Sequence, residues 1–266
     1  MNSLKWMSLA VAILLLSGAA GAQDCVKTVR WFDDAPYSFR GTDGVIQGIS
    51  VDLSRIVLTQ MGCQVKWVEM PWARALLELE QGRLDVLPGA LRKPERDAFA
   101  HFSRPFNRSP NVLFMHPSAA EKYRPKQLSD LAGTDFRLGA QIGVSYGPGY
   151  EALMKNTGFK SRVTPITLRR GAWQMIEKNR IDGLIADEMT GLLELQQLGL
   201  SHLVAKTRIL VSGEPALVAF SKKSVDANFV ARFNAVFSEL LEDGRYKDTL
   251  QKYLPCPVSV EKLGCK

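Results

Sequence analysis

The chain has 266 residues, of which 46% are hydrophobic and 23% are charged. These values are ordinary for a folded soluble protein with room for two modest domains or one large one. The formal net charge is +7, but the basic residues are scattered without a long run, which argues against nucleic acid as a partner. An anionic small ligand or a negatively charged membrane surface fits better, although a uniformly basic surface is also common.

Residues 1–22 read as a secretory signal peptide. Lys5 precedes an apolar run at 6–16, and small residues lead to an A-x-A motif at 20–22. The run is shorter than the roughly 20 residues that cross a bilayer, so an uncleaved anchor is the weaker alternative. We predict cleavage before Gln23, export, no lipid anchor at Cys25 and no segment embedded in the membrane.

Four cysteines form an even set, as expected for a disulfide-bonded protein in an oxidising compartment. Four cysteines allow three pairings. Cys256 and Cys265 would close the shortest loop, which leaves Cys25 with Cys63, each just ahead of a predicted strand. The chain has no C-x-x-C motif and its three histidines are isolated, so we predict no metal and no cofactor.

The first half of the mature chain alternates strands with helices. The pattern predicts a parallel sheet with right-handed crossovers. Ser50 is the expected N-cap of the first helix, Pro71 suits the first turn of the second, and Pro88-Gly89 is expected to form a turn that closes the third strand. The predicted strands are 26–31, 64–68 and 84–87, and the predicted helices are 50–61 and 71–81.

The same alternation returns further along the chain, without sequence identity between the halves. The predicted strands are 111–116, 136–141, 162–166, 181–186 and 203–210, and the predicted helices are 150–156, 168–179 and 189–198. The segment 121–130 is expected to be a polar connection, and 143–149 a glycine-rich turn.

The C-terminal part is predicted to form one more strand, 216–220. Two helices follow: the first covers 226–241 and the second ends at Tyr253. These helices have no sheet of their own, so we expect them to pack on the first domain. The chain would then cross between domains twice, near 107–110 and 211–215. The predicted division is 23–109 plus 214–266 for the first lobe and 110–213 for the second.

The residues after the third strand indicate a ligand site. In α/β folds, ligands bind in the crevice beyond the strand ends. Arg92 and Arg96 follow this strand, and an arginine there can donate two parallel hydrogen bonds to a carboxylate. The alternative is that both arginines are solvated or paired with Glu95 and Asp97.

Five segments, in this order, resemble the family 3 extracellular solute-binding proteins, the periplasmic receptors for polar amino acids in ABC importers. The resemblance covers nearly all of the mature chain. The segments are G-I-S-V-D-L at 48–53, V-E-M-P-W at 68–72, G-R-L-D-V to P-E-R and F-S-R-P-F within 82–106, I-D-G-L-I-A-D-E at 181–188 and E-D-G-R-Y-K-D-T-L-Q-K-Y at 242–253.

The resemblance implies an α/β fold of the type II periplasmic binding protein. In this fold, two lobes, each a mostly parallel sheet flanked by helices, are joined by two crossing segments that act as a hinge. It also implies roles for three residues. Arg96 would clamp the α-carboxylate of the ligand, Asp187 would take its α-ammonium group, and Trp72 would form an apolar wall.

Other positions that match the family's site vary from its pattern. Gly143, Val144 and Ser145 match a turn that helps to hold the carboxylate, although Val144 replaces a frequent hydroxyl residue. Gly89 lies where relatives often carry Ser or Thr, and Asp34 lies where they often carry an aromatic residue.

Arg74 and Arg92 are expected to add positive charge near the cleft. We include both among the ligand-binding residues. Fewer hydroxyl groups and more charge than usual leave two candidates besides the standard amino acids: a different carboxylate, or an amino acid with an acidic side chain.

The predicted function is therefore that of a monomeric periplasmic binding protein, not an enzyme, which captures a small carboxylate-bearing solute for an ABC permease. One alternative is a lyase of the cyclohexadienyl dehydratase type on the same fold, with Asp187 or Glu188 as the acid. Another is a soluble sensory receptor subunit. A third is a hydrolase, because 143–147 is a G-x-S-x-G motif and Asp182 or Asp187 and then His202 follow it.

Overall fold

The computed structural model describes residues 25–254 and 256–265. The predicted signal peptide, its cleavage site and Gln23 lie outside the described residues. Within them, no helix is both long enough and apolar enough to span a bilayer.

The described strands are labelled β1 to β14 in chain order. They are β1 Cys25–Trp31, β2 Phe39–Arg40, β3 Ile46–Gln47, β4 Cys63–Glu69, β5 Val86–Ala90, β6 Ala100–Phe102, β7 Asn111–Met115, β8 Leu138–Gln141, β9 Val163–Ile166, β10 Gly183–Asp187, β11 Ala205–Ser212, β12 Leu217–Ser221, β13 Val258–Ser259 and β14 Gly264–Cys265.

The described α-helices are labelled α1 to α10, and a short 3-10 helix covers Leu128–Leu131. The α-helices are α1 Ile49–Gln60, α2 Trp72–Gln81, α3 Pro94–Asp97, α4 Pro117–Tyr123, α5 Gly147–Leu153, α6 Thr157–Lys160, α7 Arg169–Glu177, α8 Glu188–Gln197, α9 Ala227–Glu242 and α10 Arg245–Gln251.

Two five-stranded sheets organise two lobes. The first sheet has the order β4-β1-β5-β12-β6, in which β1 is parallel to β4 and β5, and β12 is antiparallel to both of its neighbours. The second has the order β11-β7-β10-β8-β9, with β8 parallel to β9 and β10, and β7 antiparallel to β10 and β11. The predicted α/β two-lobed architecture is confirmed, but each sheet is mixed, with two parallel and two antiparallel pairings, and not mostly parallel as predicted.

The chain passes between the sheets at two adjacent places. Asn107, which lies shortly before β7, forms an antiparallel bridge with Ala216, which lies directly before β12. All strands of the second sheet lie between 111 and 212. They therefore fall inside the predicted second lobe, whose boundaries at 110 and 213 stay a prediction.

The C-terminal helices complete the core of the first lobe. Phe233 and Phe237 of α9 and Tyr246 of α10 are fully buried in one cluster with Val29 of β1 and Leu53 of α1. The first sheet alone would leave one face open to water, and burying these aromatic rings is strongly favourable. The prediction that the tail packs on the first domain is confirmed.

Both predicted disulfides are present. Cys25 and Cys63 pair in register on the parallel strands β1 and β4, with their Cα atoms 4.5 Å apart. Cys256 and Cys265 close a short loop, and Cys265 is the last residue of β14. The first bond joins two strands of the first sheet, and the second holds the end of the described chain in a compact turn.

Several predicted boundaries need correction. The N-cap of α1 is Gly48, not Ser50, because only glycine fits there: its φ is +125° and a Cβ atom would lie 2.6 Å from the Tyr37 carbonyl oxygen. The glycine-rich turn is shorter than expected, since α5 begins at Gly147. The segment 121–130, which was expected to be a polar connection, contains the end of α4 and most of the 3-10 helix.

Pro88 and Gly89 do not end the third strand but lie within β5. The register of β5 against β12 shifts at this point, and Gly89 has a φ of +87°. Gly89 is therefore the extra residue of a bulge, a distortion that glycine accepts without strain and that turns the strand locally. The bulge faces the cleft between the lobes, where Gly89 lines a cavity.

Candidate functional site

A cavity of about 160 Å³ lies between the two lobes. It is smaller than the roughly 300–1,000 Å³ of sites for drug-sized ligands, so it suits a small molecule. Its lining comes from both lobes and from the crossing segments: Arg30, Asp34, Tyr37, Ser38, Ser50, Trp72, Pro88, Gly89, Leu91, Arg96, Asn107, Ser109, Asn111, Gln141, Val144, Ser145, Tyr146, Arg169, Ala186, Asp187, Thr190, Glu214 and Ala216.

Arg96 is a buried cation without an anionic partner. It lies in α3, which starts with Pro94 at its first turn, and it is only 6% exposed. Its guanidinium donates to the carbonyl oxygens of Leu91 and Gly143, each over 2.7 Å, and forms no salt bridge with any described residue. Burial lowers the pKa of Arg96, which means that its charge is incompletely compensated. Three of its five donors remain for a ligand.

Asp187 is a half-buried anion without a salt-bridge partner among the described residues. It is the last residue of β10 and the N-cap of α8, where its carboxylate accepts a hydrogen bond from the Thr190 main-chain nitrogen over 3.0 Å. The Tyr37 hydroxyl donates to its other oxygen over 3.4 Å. Burial raises the pKa of Asp187, and no salt bridge joins it to the described part of the chain.

Trp72 lines the cavity. It is the first residue of α2, and its indole Nε1 donates to the Gly143 carbonyl oxygen across the cleft, over 3.1 Å. The Arg30 guanidinium lies over the Trp72 ring, 5.5 Å from its centroid. This cation–π contact fixes the ring as a flat surface beside the cavity.

The turn at Gly143-Val144-Ser145 also reaches the cavity. Gly143 has a φ of +77°, and its carbonyl oxygen accepts from both Arg96 and Trp72. Val144 and Ser145 line the cavity just before α5, and Ser145 is buried. The turn therefore connects the second lobe with α2 and α3 of the first.

Asp34 lines the cavity but is already neutralised by arginines. Its carboxylate bonds Arg169 over 2.5 Å and Arg30 over 2.9 Å. Burial opposes ionisation of Asp34, but the two guanidinium groups outweigh it and lower its pKa to about 2. Arg169 also bonds Glu194 over 3.0 Å and Gln141 over 3.0 Å, so these five residues form one buried polar network.

The lobes are in direct contact around the cavity. Besides the bonds to Gly143, Arg169 of the second lobe reaches Asp34 of the first, and Lys93 of the first lobe reaches Glu151 of the second over 2.5 Å. The arrangement is that of a closed cleft, in which charged contacts from both lobes surround a small interior space.

Most of the sequence matches the model of a protein family. The model of the bacterial extracellular solute-binding proteins, family 3, matches residues 32–255. The chain belongs to this family.

Two curated relatives and one solved structure illustrate the similarity of this solute-binding protein. A probable amino-acid ABC transporter-binding protein of Haemophilus influenzae is 26% identical over 80% of this chain and 78% of the relative. The L-arginine-binding protein of Pseudomonas aeruginosa is 25% identical over 92% of this chain and 93% of its own. An ancestral arginine-binding protein bound to arginine has a TM-score of 0.74, 22% identity and coverage of 86% of this chain and 98% of that one.

Two predicted residues of the solute-binding protein lie outside the cavity. Arg74 is 70% exposed and faces Glu78 one helical turn away, and Arg92 is 64% exposed and bonds Asp97 over 2.8 Å. Both are therefore solvated and already paired, and neither lines the cleft. The prediction that they add positive charge there is corrected.

The G-x-S-x-G motif does not assemble a hydrolase triad in the described residues. Ser145 lines the cavity, whereas His202 is exposed and is absent from its lining. Asp182 is held by Arg137 over 2.6 Å. In this solute-binding protein the motif shapes the turn at Gly143.

The cavity residues that the sequence analysis did not assign to the site include Arg30, Tyr37, Asn107 and Arg169. Arg30 had a recognisable signal, because it is a charged residue between Val29 and Trp31, two apolar residues of a predicted strand. Arg169 also had one, since a cation at the N-terminus of a helix opposes the helix dipole and suggests an acidic partner elsewhere.

Proposed function

We propose that this protein captures a small amino acid, or a closely related carboxylate with an ammonium group, and delivers it to an ABC permease. The observation that carries the proposal is the pair formed by Arg96 and Asp187. Both line one cavity, where Arg96 is buried and Asp187 is half-buried, each comes from a different lobe, and neither forms a salt bridge with a described residue.

A zwitterion satisfies both groups at once. Burying an unpaired charge is costly, and a ligand whose carboxylate meets Arg96 and whose ammonium group meets Asp187 removes both costs. A bidentate carboxylate suits the free guanidinium donors. The apolar face of Trp72 and the main chain at the Gly89 bulge are then available to position the rest of the ligand.

The known relatives agree with this assignment. Those named above are described as an amino-acid ABC transporter-binding protein and an L-arginine-binding protein. We propose the same general role here, in the periplasm after signal-peptide cleavage, as a monomer that binds without converting its ligand. We also propose that the hinge divides the chain into 23–109 plus 214–266 and 110–213.

Closure explains how binding becomes a signal for transport. Arg96 and Asp187 belong to different lobes, so both reach the ligand only when the cleft is closed. The ligand therefore shifts an equilibrium between open and closed forms by its greater affinity for the closed one. The closed surface is the one that we expect a permease to recognise.

A thermal-shift screen of the mature protein tests the proposal. The panel contains the twenty L-amino acids, dicarboxylates without an amino group and amines without a carboxylate. A ligand at about 100 times its dissociation constant should stabilise the protein by roughly 2.7 kcal/mol. Stabilisation by an amino acid, recovered unchanged by NMR, is the expected result. Stabilisation only by amines, or turnover of the ligand, would contradict the proposal.

A further inference from the structure

Arg169 lies at an unfavourable place for a cation unless it has a special partner. It is the first residue of α7, where the helix dipole favours negative charge, and its side chain is only 11% exposed. Asp34 on the opposite lobe and Glu194 on α8 supply the compensation. Burial would lower the pKa of Arg169, but these two carboxylates raise it above its ordinary value.

Both oxygens of the Asp34 carboxylate already face an arginine. One accepts a hydrogen bond from Arg169, and the other forms an ion pair with Arg30 over 2.9 Å. The charges of Arg30, Asp34, Arg169 and Glu194 cancel, so the network is neutral as it stands. Any ligand charge placed against it would lack a counterion in a buried site.

Asp34 would otherwise be well suited to a cationic side chain. It lines the same cavity as Arg96 and Asp187 and its side chain is 17% exposed, whereas Glu214, the other carboxylate in that lining, is exposed to solvent. Once Arg96 and Asp187 hold the two ends of the amino-acid backbone, the side chain must occupy what remains of the cavity. A cationic side chain of the ligand would need the Asp34 carboxylate as its partner in that space. The guanidinium of Arg169 already bonds this carboxylate.

The uncharged lining leaves room for a modest polar group. The Asn107 side-chain oxygen is buried and has no hydrogen-bond partner in the described part of the chain. Asn107 lines the cavity at the hinge, so this oxygen is placed to accept a hydrogen bond from a hydroxyl or amide. The volume of about 160 Å³ also favours a short side chain.

We propose that Arg169 acts as a built-in substitute for a cationic ligand side chain, so that this protein selects amino acids with short uncharged side chains and rejects arginine and lysine. The inference rests on the proposed function. It departs from the ligand of the L-arginine-binding relative, which is 25% identical. Specificity here arises because the second lobe fills a carboxylate site on the first.

Calorimetric titration of the mature protein tests this selection. The probes are L-alanine, L-serine, L-asparagine, L-aspartate, L-arginine and L-lysine. The tightest ligand should be uncharged, with at least about 100-fold preference over L-arginine, because a buried unpaired charge costs several kcal/mol. Wild-type binding of L-arginine or L-aspartate as tightly as the best uncharged probe would overturn the inference while leaving the proposed function intact.

The decisive variant is Arg169→Ala, which frees one oxygen of Asp34. Its affinity for L-arginine should rise at least about 10-fold, the effect of one recovered charge contact. Arg170→Ala is the matched control, because Arg170 is the exposed neighbour and its nearest carboxylate, on Asp33, is 4.0 Å away. It should leave the affinity for L-arginine unchanged. Adding Asp34→Asn to Arg169→Ala should erase the gain.

A second variant guards against misfolding. Arg169→Ala leaves Glu194 buried without a cation, so the double variant Arg169→Ala with Glu194→Gln removes that charge while keeping Asp34. The gain in affinity for L-arginine should persist in it. No gain in either folded variant would overturn the role of Arg169. Failure of the wild type and the variants to bind any of the probes would overturn this inference, and the proposed function would fall with it only if the thermal-shift panel also yielded no amino-acid ligand.

Discussion

The Arg96 guanidinium in the first lobe donates a hydrogen bond to the main-chain carbonyl oxygen of Gly143 in the second, over 2.7 Å. The Trp72 indole donates to the same oxygen over 3.1 Å. The residue that we assign to the ligand carboxylate is therefore also a contact between the lobes. Ligand capture and cleft closure share these atoms, which makes them energetically coupled.

Asp187→Asn should stabilise the ligand-free protein at neutral pH. Burial raises the folded-state pKa of Asp187, so its contribution to stability is full below the unfolded pKa of about 3.9 and is lost as the pH rises through the higher folded value. Asparagine is also a good N-cap and keeps the bond to Thr190. Chemical denaturation at pH 7 should therefore show a higher free energy of unfolding for Asp187→Asn than for wild type.

The same substitution should weaken ligand binding. Wild-type affinity should fall as the pH drops through the raised pKa of Asp187, because protonation removes the partner of the ammonium group. Titrations of Asp187→Asn across the same pH range should show weak binding without this dependence. A stability gain that persists below about pH 4, where both side chains are neutral, would contradict the assigned cause.

The contribution of Asp34 to stability should depend on pH in the opposite direction. Its folded pKa is lowered to about 2, so its contribution to stability is present above the unfolded value and lost as the pH falls from about 4 towards 2. The loss should be about 2 kcal/mol from this residue. Denaturation curves at pH 5, 4 and 3 should show a steeper decline for wild type than for Asp34→Asn. Parallel declines would show that Arg30 and Arg169 do not hold the ionised carboxylate.

The two disulfides should differ in their effect on stability. Cys25 and Cys63 are separated by 38 positions, and Cys256 and Cys265 by 9. The entropy of loop closure predicts losses of about 4 and about 2.5 kcal/mol when each pair is replaced by serine. Denaturation of the two double-serine variants under identical conditions measures the difference. A larger loss from the short loop would show that packing, not loop length, decides the order.

The sequence was sufficient to predict the fold because its signals are local or periodic. Strand and helix alternation, repeated in both halves, indicated two α/β lobes. The error at Pro88-Gly89 also has a local origin. These residues usually end a strand, but pairing with β12 continues the strand through a bulge. Tertiary pairing of this kind is not visible in the residues themselves.

Part of the site could be predicted because some of its residues also lie in local sequence motifs. Arg96 and Asp187 lie in recognisable motifs at strand and helix ends, and the structure brings both to one cavity. The bond between Asp34 and Arg169 joins residues 135 positions apart on different lobes. Neither residue's neighbours indicate this pairing, and it exists only when the cleft is closed. Arg74 and Arg92 show the converse: an arginine near a site in sequence can still face solvent.

Isothermal titration of Arg96→Ala against wild type tests the central claim most directly. The ligands are the amino acid found by the thermal-shift screen and its methyl ester, which keeps the ammonium group but lacks the carboxylate. Arg92→Ala is the control, because this exposed arginine is four residues away and outside the cavity.

We expect wild type and Arg92→Ala to prefer the free amino acid over its ester by at least about 100-fold, since the ester leaves the buried guanidinium unpaired. Arg96→Ala should bind both forms with the same weak affinity. If Arg96→Ala bound the free amino acid as tightly as the wild type does, that result would contradict the assignment of the carboxylate clamp. It would also contradict the proposed mode of ligand capture.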